Sequence, residues 1–100
     1  MFAVIYRFRV RPGYEQKFQE SWSERTEEIK ATFGGLGSRL HRASDGTWIA
    51  YAQWPSRDAW EALGPSTSES TPAQQIMREA CEFVETLFEL DVVKDLLVHS

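Results

Sequence analysis

An α+β fold, in which a four-stranded antiparallel sheet carries its helices on one face, is predicted by three features of the sequence. The first is an alternating strand, Phe2 to Val10, stopped by Arg11-Pro12-Gly13. The second is a pair of strands meeting at Ser44-Asp45-Gly46, where Asp-Gly is a strong hairpin signal. The third is that helical periodicity follows the first strand and follows the hairpin, giving the order strand–helix–strand–strand–helix(–helix)–strand. Two split βαβ halves of this kind build the ferredoxin-like βαββαβ plan.

Each element has a local cause. In the first strand Phe2, Val4, Tyr6, Phe8 and Val10 share one face, while Ala3, Ile5, Arg7 and Arg9 share the other. Proline removes a ladder donor and glycine permits a sharp turn, so Arg11-Pro12-Gly13 ends it. A helix is predicted from about Tyr14 to Thr32, with Tyr14, Phe18, Trp22, Ile29 and Phe33 at helical spacing and a Glu-rich face turned to solvent. Gly34, Gly35 and Gly37 terminate it. Strands follow at Ser38 to Ala43 and Thr47 to Trp54; in the second, Trp48, Ala50, Ala52 and Trp54 fall on one face and Ile49, Tyr51 and Gln53 on the other. Ser56 is placed to cap a short helix reaching Leu63, with Asp58 near its positive end. The small, polar stretch from Gly64 to Ser70 predicts a mobile surface loop. Thr71-Pro72-Ala73-Gln74 resembles a capping box with proline at the first helical position. The helix it opens is expected to align Ile76, Met77, Ala80, Cys81, Val84, Leu87 and Phe88, with a last strand around Leu90 to Lys94.

The 100 residues fit one domain, 1–100, and the 42% hydrophobic content suits a folded core. A formal net charge of -4 argues against a general nucleic-acid binder, which carries a basic stripe. The lone Cys81 excludes an internal disulfide framework. No apolar run reaches the roughly 20 residues that span a bilayer, and no basic-then-apolar export signal opens the chain. A cytoplasmic protein with neither nucleic-acid nor membrane partner is the expectation.

With all helices on one face, the other sheet face would expose Ala3, Ile5, Ile49 and Tyr51 among Arg7, Arg9 and Gln53. An apolar patch of that kind is rarely left bare. Two sheets packed face to face across a two-fold axis would cover it, so a homodimer is expected.

Three segments carry a family resemblance: the strand ending at Arg11-Pro12-Gly13, the Gly35-Leu36-Gly37 segment, and Trp54-Pro55-Ser56-Arg57-Asp58-Ala59-Trp60. They resemble the antibiotic biosynthesis monooxygenase (ABM) family of the dimeric α/β-barrel superfamily, over about Met1 to Leu63. The resemblance implies a ferredoxin-like subunit, a homodimer forming a dimeric α/β barrel, and a cavity between sheet and helices. Family members include cofactor-free oxygenases of polycyclic phenols and quinols, and haem-degrading enzymes. Trp54 falls where the family has its strand-end tryptophan. Tyr6 falls near an asparagine of the haem-degrading members, which also use a histidine in the later helix. Met77-Arg78-Glu79-Ala80-Cys81-Glu82-Phe83 contains none, which argues against haem degradation.

Oxidation without a cofactor requires an electron-rich phenol or hydroquinone whose anion passes an electron to O2, in a site that stabilises the anion and excludes water. His41 is a candidate base, its ordinary pKa lying near neutrality, or else a histidine of the sheet surface. Arg7 or Arg9 could hold a phenolate, or could pair with acids of a partner subunit. Tyr6 and Trp54 share the helix-covered face and fit a cavity wall; Trp22 and Trp60 either complete an aromatic box or fill the core. Cys81 lacks a flanking base, and His41, Cys81 and His99 have no metal-ligand spacing. The glycines of Gly34-Gly35-Leu36-Gly37 follow a helix instead of opening one, so they form no phosphate loop. The leading expectation is an oxidoreductase: a cofactor-independent monooxygenase of a small aromatic phenol or quinol, needing no metal. The alternative is a non-catalytic dimeric module that binds a small molecule or serves a structural role.

Overall fold

The computed structural model describes residues 1–63 and 71–96. Strand β1 (Phe2–Val10) leads to helix α1 (Glu15–Thr32), then to the hairpin β2 (Gly37–Arg42) and β3 (Trp48–Trp54). Two short helices, α2 (Arg57–Glu61) and α3 (Pro72–Glu79), precede the long strand β4 (Cys81–Asp91). All pairings are antiparallel in the spatial order β2-β3-β1-β4, which puts β1 at the centre beside β3 and β4. The helices pack on one side of this sheet, as the ferredoxin-like plan requires. Among the described residues no helix is long and apolar enough to cross a membrane. The stretch expected to form a mobile loop, Gly64 to Ser70, lies outside the described residues, as does His99.

The register assigns each face. Val4, Tyr6 and Phe8 stand opposite Ala52, Ala50 and Trp48 and look toward the helices. Ala3, Ile5 and Arg7 stand opposite Gln53, Tyr51 and Ile49 and look away from them. The predicted alternation of both strands therefore holds.

Local chemistry sets the ends. The backbone N–H of Gly13, at φ +88°, donates to the Glu15 carboxylate at 3.0 Å and steadies the entry to α1. Ser56 caps α2 by accepting the Ala59 N–H at 3.1 Å, and Thr71 caps α3 by accepting the Gln74 N–H at 3.3 Å. In the β2–β3 hairpin, Asp45 accepts from the backbone N–H and the hydroxyl of Thr47, at 2.9 and 2.6 Å. These bonds to its charged form hold the Asp45 carboxyl below its usual range.

The C-terminal third corrects the expectation. Helix α3 stops at Glu79, and Cys81, Val84, Leu87 and Phe88 belong to β4 instead of to a helix face. The strand expected around Leu90 to Lys94 ends at Asp91. Two register shifts explain why the alternation was hidden: Leu87 and Glu82 are extra residues opposite Ile5/Tyr6 and Arg9/Val10. Each bulge advances the alternation by one, so residues two apart no longer share a face, and the spacing imitates a helix. A backbone bond from Arg11 N–H to the Ala80 carbonyl, at 2.8 Å, and a side-chain bond from Arg11 Nε to the Glu79 carbonyl, at 3.1 Å, fasten the turn before β4 to the end of β1.

Two hydrophobic clusters lie between sheet and helices. One gathers Phe8, Phe18, Trp48, Ala50, Ala80 and Cys81; the other gathers Phe2, Val4 and Trp54. Tyr6 packs against both.

Candidate functional site

Between the helix-facing side of the sheet and the helices is a cavity of about 830 Å³. Tyr6 and Phe8 of β1, Ala52 and Trp54 of β3, and Val84 and Thr86 of β4 line it from the sheet. Trp22, Arg25, Thr26 and Ile29 of α1 form a second wall, and Trp60 of α2 a third. Gln74, Met77 and Arg78 of α3 line it as well, and the hollow stays partly open to solvent. Its volume falls within the range that encloses most of the surface of a multi-ring ligand, roughly 300–1,000 Å³. The tryptophans thus border a hollow and do not fill it.

Tyr6 is the polar centre of the sheet wall. The indole N–H of Trp60 donates to the Tyr6 hydroxyl at 2.8 Å. Trp60 is itself braced by Phe2, with ring centroids 5.7 Å apart. Burial raises the Tyr6 pKa, the Trp60 hydrogen bond opposes that rise, and the charge of Glu89 adds to it. At neutral pH the side chain is therefore a hydroxyl donor and not a phenolate base. Glu89 is paired with Arg57, whose guanidinium lies 4.7 Å from the Phe2 ring centroid.

Trp54 contributes ring surface. Its indole N–H is sealed from solvent and meets no acceptor among the described residues. A buried donor left this way costs about 1–3 kcal/mol, so Trp54 is held by packing and not by a hydrogen bond.

The α1 wall carries a cation that the sequence reading passed over. Arg25 is only 12% exposed and pairs with Glu28 at 3.4 Å. Glu28 also accepts the Thr71 hydroxyl at 2.8 Å, tying α1 to the start of α3. The Glu-rich face of α1 thus includes one side chain with a structural role. Arg25 follows Trp22 by three residues and precedes Ile29 by four, which places it on the apolar stripe.

Cys81 also lines the cavity, and burial pushes its thiol up to about 11. A protonated thiol is a poor nucleophile and a poor metal ligand. Among the described residues no group of three or more His, Cys, Asp or Glu could hold a metal ion.

Of the site residues expected from sequence, Tyr6, Trp54, Trp22 and Trp60 meet at the cavity. His41 and Arg7 do not line it. His41 stands opposite Ile49 on the outer sheet face, its Nδ1 3.2 Å from the Ile49 carbonyl oxygen. Arg7 shares that face and donates through Nε to Glu85 of its own chain at 2.6 Å. The sheet separates both from the hollow.

The model of the antibiotic biosynthesis monooxygenase family matches residues 1–66, from β1 through α2. The chain belongs to this family. No curated protein sequence matches it. Solved structures extend the ABM likeness to the fold of the whole chain. One antibiotic biosynthesis monooxygenase superposes with a TM-score of 0.69 at 17% identity, over 94% of this chain and 100% of the other. SnoaB, a cofactor-independent oxygenase from Streptomyces nogalater, gives 0.68 at 22% identity over 95% of each chain. MhuD, a haem-degrader from Mycobacterium tuberculosis with two haems bound in its active site, gives 0.66 at 21% identity. That alignment covers 96% of this chain and 99% of MhuD. The ABM fold thus accommodates different chemistries, and the residues around the hollow must decide among them.

Proposed function

We propose that this ABM chain is a cofactor-independent monooxygenase that oxidises a small aromatic phenol or quinol inside the cavity. The observation that carries the reading is a hollow bordered by Trp22, Trp54 and Trp60 with the protonated Tyr6 hydroxyl in its wall. Aromatic faces suit a flat ring, and a hydroxyl donor suits the ring oxygen on which negative charge gathers during oxidation. A phenol and O2 give a quinone and water with no external reductant, so the reaction balances without a cofactor. Removing water from around the anion strengthens its interaction with Tyr6. Proton removal would fall to Glu61 or Glu82, the carboxylates on the lining among the described residues, since Tyr6 stays protonated and His41 lies across the sheet.

The haem reading is less well supported. Among the described residues that line the cavity none is a histidine, and the Cys81 thiol and Tyr6 phenol there are kept neutral by burial. The remoteness of His41 favours one alternative, a binding module without catalysis. Oxygen consumption with a panel of phenols and hydroquinones separates the two. Protein-dependent O2 uptake with quinone formation is the expected result; binding without uptake across the panel would establish the module instead.

We propose further that two copies pair through their outer sheet faces. Phe83, Phe88 and Leu90 of β4 are exposed there, beside Ile5, Ile49 and Tyr51. Ala3, on the same face, is already buried between Gln53 and Leu90. The Arg7–Glu85 pair neutralises one charge of the patch within one chain, which lowers the cost of covering the apolar surface around it.

A further inference from the structure

Among the described residues, the Tyr6 hydroxyl is used on one side only. Its oxygen accepts the Trp60 N–H at 2.8 Å, and among the described residues nothing accepts its own proton. Among the described residues the Trp60 N–H has no second acceptor, and its ring is pinned against Phe2. A phenol oxygen that accepts from one direction has its own hydrogen left for another direction, and Tyr6 borders the cavity. The cavity therefore offers a donor whose polarity cannot be reversed. Were Tyr6 to rotate its hydrogen toward Trp60, two donors would face each other in a half-buried site, and the arrangement would lose a hydrogen bond.

We infer that Trp60 is a positioning residue that makes Tyr6 a dedicated hydrogen-bond donor, so that the cavity selects aromatic rings presenting an acceptor oxygen, a carbonyl or a phenolate, over rings without one. This deepens the proposed reading and rests on its claim that the cavity receives a flat aromatic ligand. Selection follows from an asymmetry of energies. A ring lacking the oxygen leaves the Tyr6 proton unsatisfied, and a site built to hydrogen-bond a group rejects the analogue that lacks it more strongly than a hydrophobic wall rejects a change of shape. Glu89 reinforces the arrangement, because a negative charge near Tyr6 disfavours the phenolate that would turn the donor into an acceptor. For an oxidation that converts a phenol to a quinone, one donor serves both ends: substrate anion and product carbonyl are acceptors alike.

Calorimetric titration of the full chain with 1,4-naphthoquinone and with naphthalene tests this, since the two probes share a ring system and differ in the acceptor oxygens. The wild type is expected to prefer the quinone. Tyr6→Phe is expected to weaken quinone binding about tenfold and to leave naphthalene unchanged. Trp60→Phe, which keeps an aromatic ring against Phe2, is expected to lower the quinone-to-naphthalene ratio without abolishing either. It is also expected to move the Tyr6 phenolate step in absorbance to higher pH, a signature that a packing role would not produce. Equal losses for both probes in either variant, or an unchanged ratio, would overturn the positioning role while leaving the cavity reading intact. Failure of the wild type to bind either probe would overturn the cavity reading and this inference with it.

Discussion

A methyl group added to Gly35 would stand 2.7 Å from Cγ2 of Ile29, closer than side chains approach in folded proteins. Trp54 lies beyond, 3.7 Å from the same point, so Gly35 backs two residues of the cavity wall. Gly35→Ala is expected to push Ile29 toward the hollow. The expected cost is about 1–2 kcal/mol in urea unfolding, in the range of core overpacking, together with weaker ligand binding. A variant with wild-type stability and affinity would contradict this.

Cys81 is expected to resist thiol reagents. With its thiol pushed up to about 11, only about one molecule in a thousand is thiolate at pH 8. Labelling should be slow in the native chain and become fast on unfolding, and a ligand in the cavity should slow it further. Rapid labelling of the folded protein at pH 8 would show that the thiol is neither buried nor held protonated.

Phe88 is 58% exposed on the outer sheet face, directly opposite Ile5. Phe88→Glu is expected to leave the subunit folded and to prevent pairing, because the side chain makes little contact within its own chain. Light scattering at micromolar concentration should report a dimer for the wild type and a monomer for the variant. A monomeric wild type would refute the pairing.

Tyr6 ties stability to alkaline pH. Its pKa is higher in the folded chain than the ordinary value of 10.0, so the folded state holds the proton more tightly than the unfolded state does. The contribution is complete below pH 10.0 and is lost as pH rises through the folded-state value. In Tyr6→Phe the loss of stability above pH 10.0 should be shallower than in the wild type, as urea titrations at several pH values would show. Parallel curves would mean that Tyr6 ionises as freely folded as unfolded.

The sequence made β1, α1 and the hairpin legible because alternation, helical spacing and turn chemistry agree there. It misled at β4, where Leu87 and Glu82 interrupt the period of two and the apolar residues fall at helical intervals. Four cavity residues were readable: alternation alone puts Tyr6 and Trp54 on the covered face, and helical position does the same for Trp22 and Trp60. Arg25 was missed because charge on a helix reads as solvent exposure, although its spacing placed it on the inner stripe. His41 draws attention in the sequence through its ordinary titration range alone. Its neighbour Leu40, opposite Ala50 on the helix side, already required His41 to point outward.

A hollow lined by members of both core clusters has a thermodynamic result. A chain of this length forgoes packing that would otherwise hold it together, so an occupant acts as missing interior. Saturation at a hundred times the dissociation constant adds about 2.7 kcal/mol to folding, which for a domain of this size corresponds to a melting point raised by roughly ten degrees or more. Thermal denaturation in the presence of a compound library thus becomes a search tool, reporting whatever molecule the hollow was shaped to receive before any turnover is known.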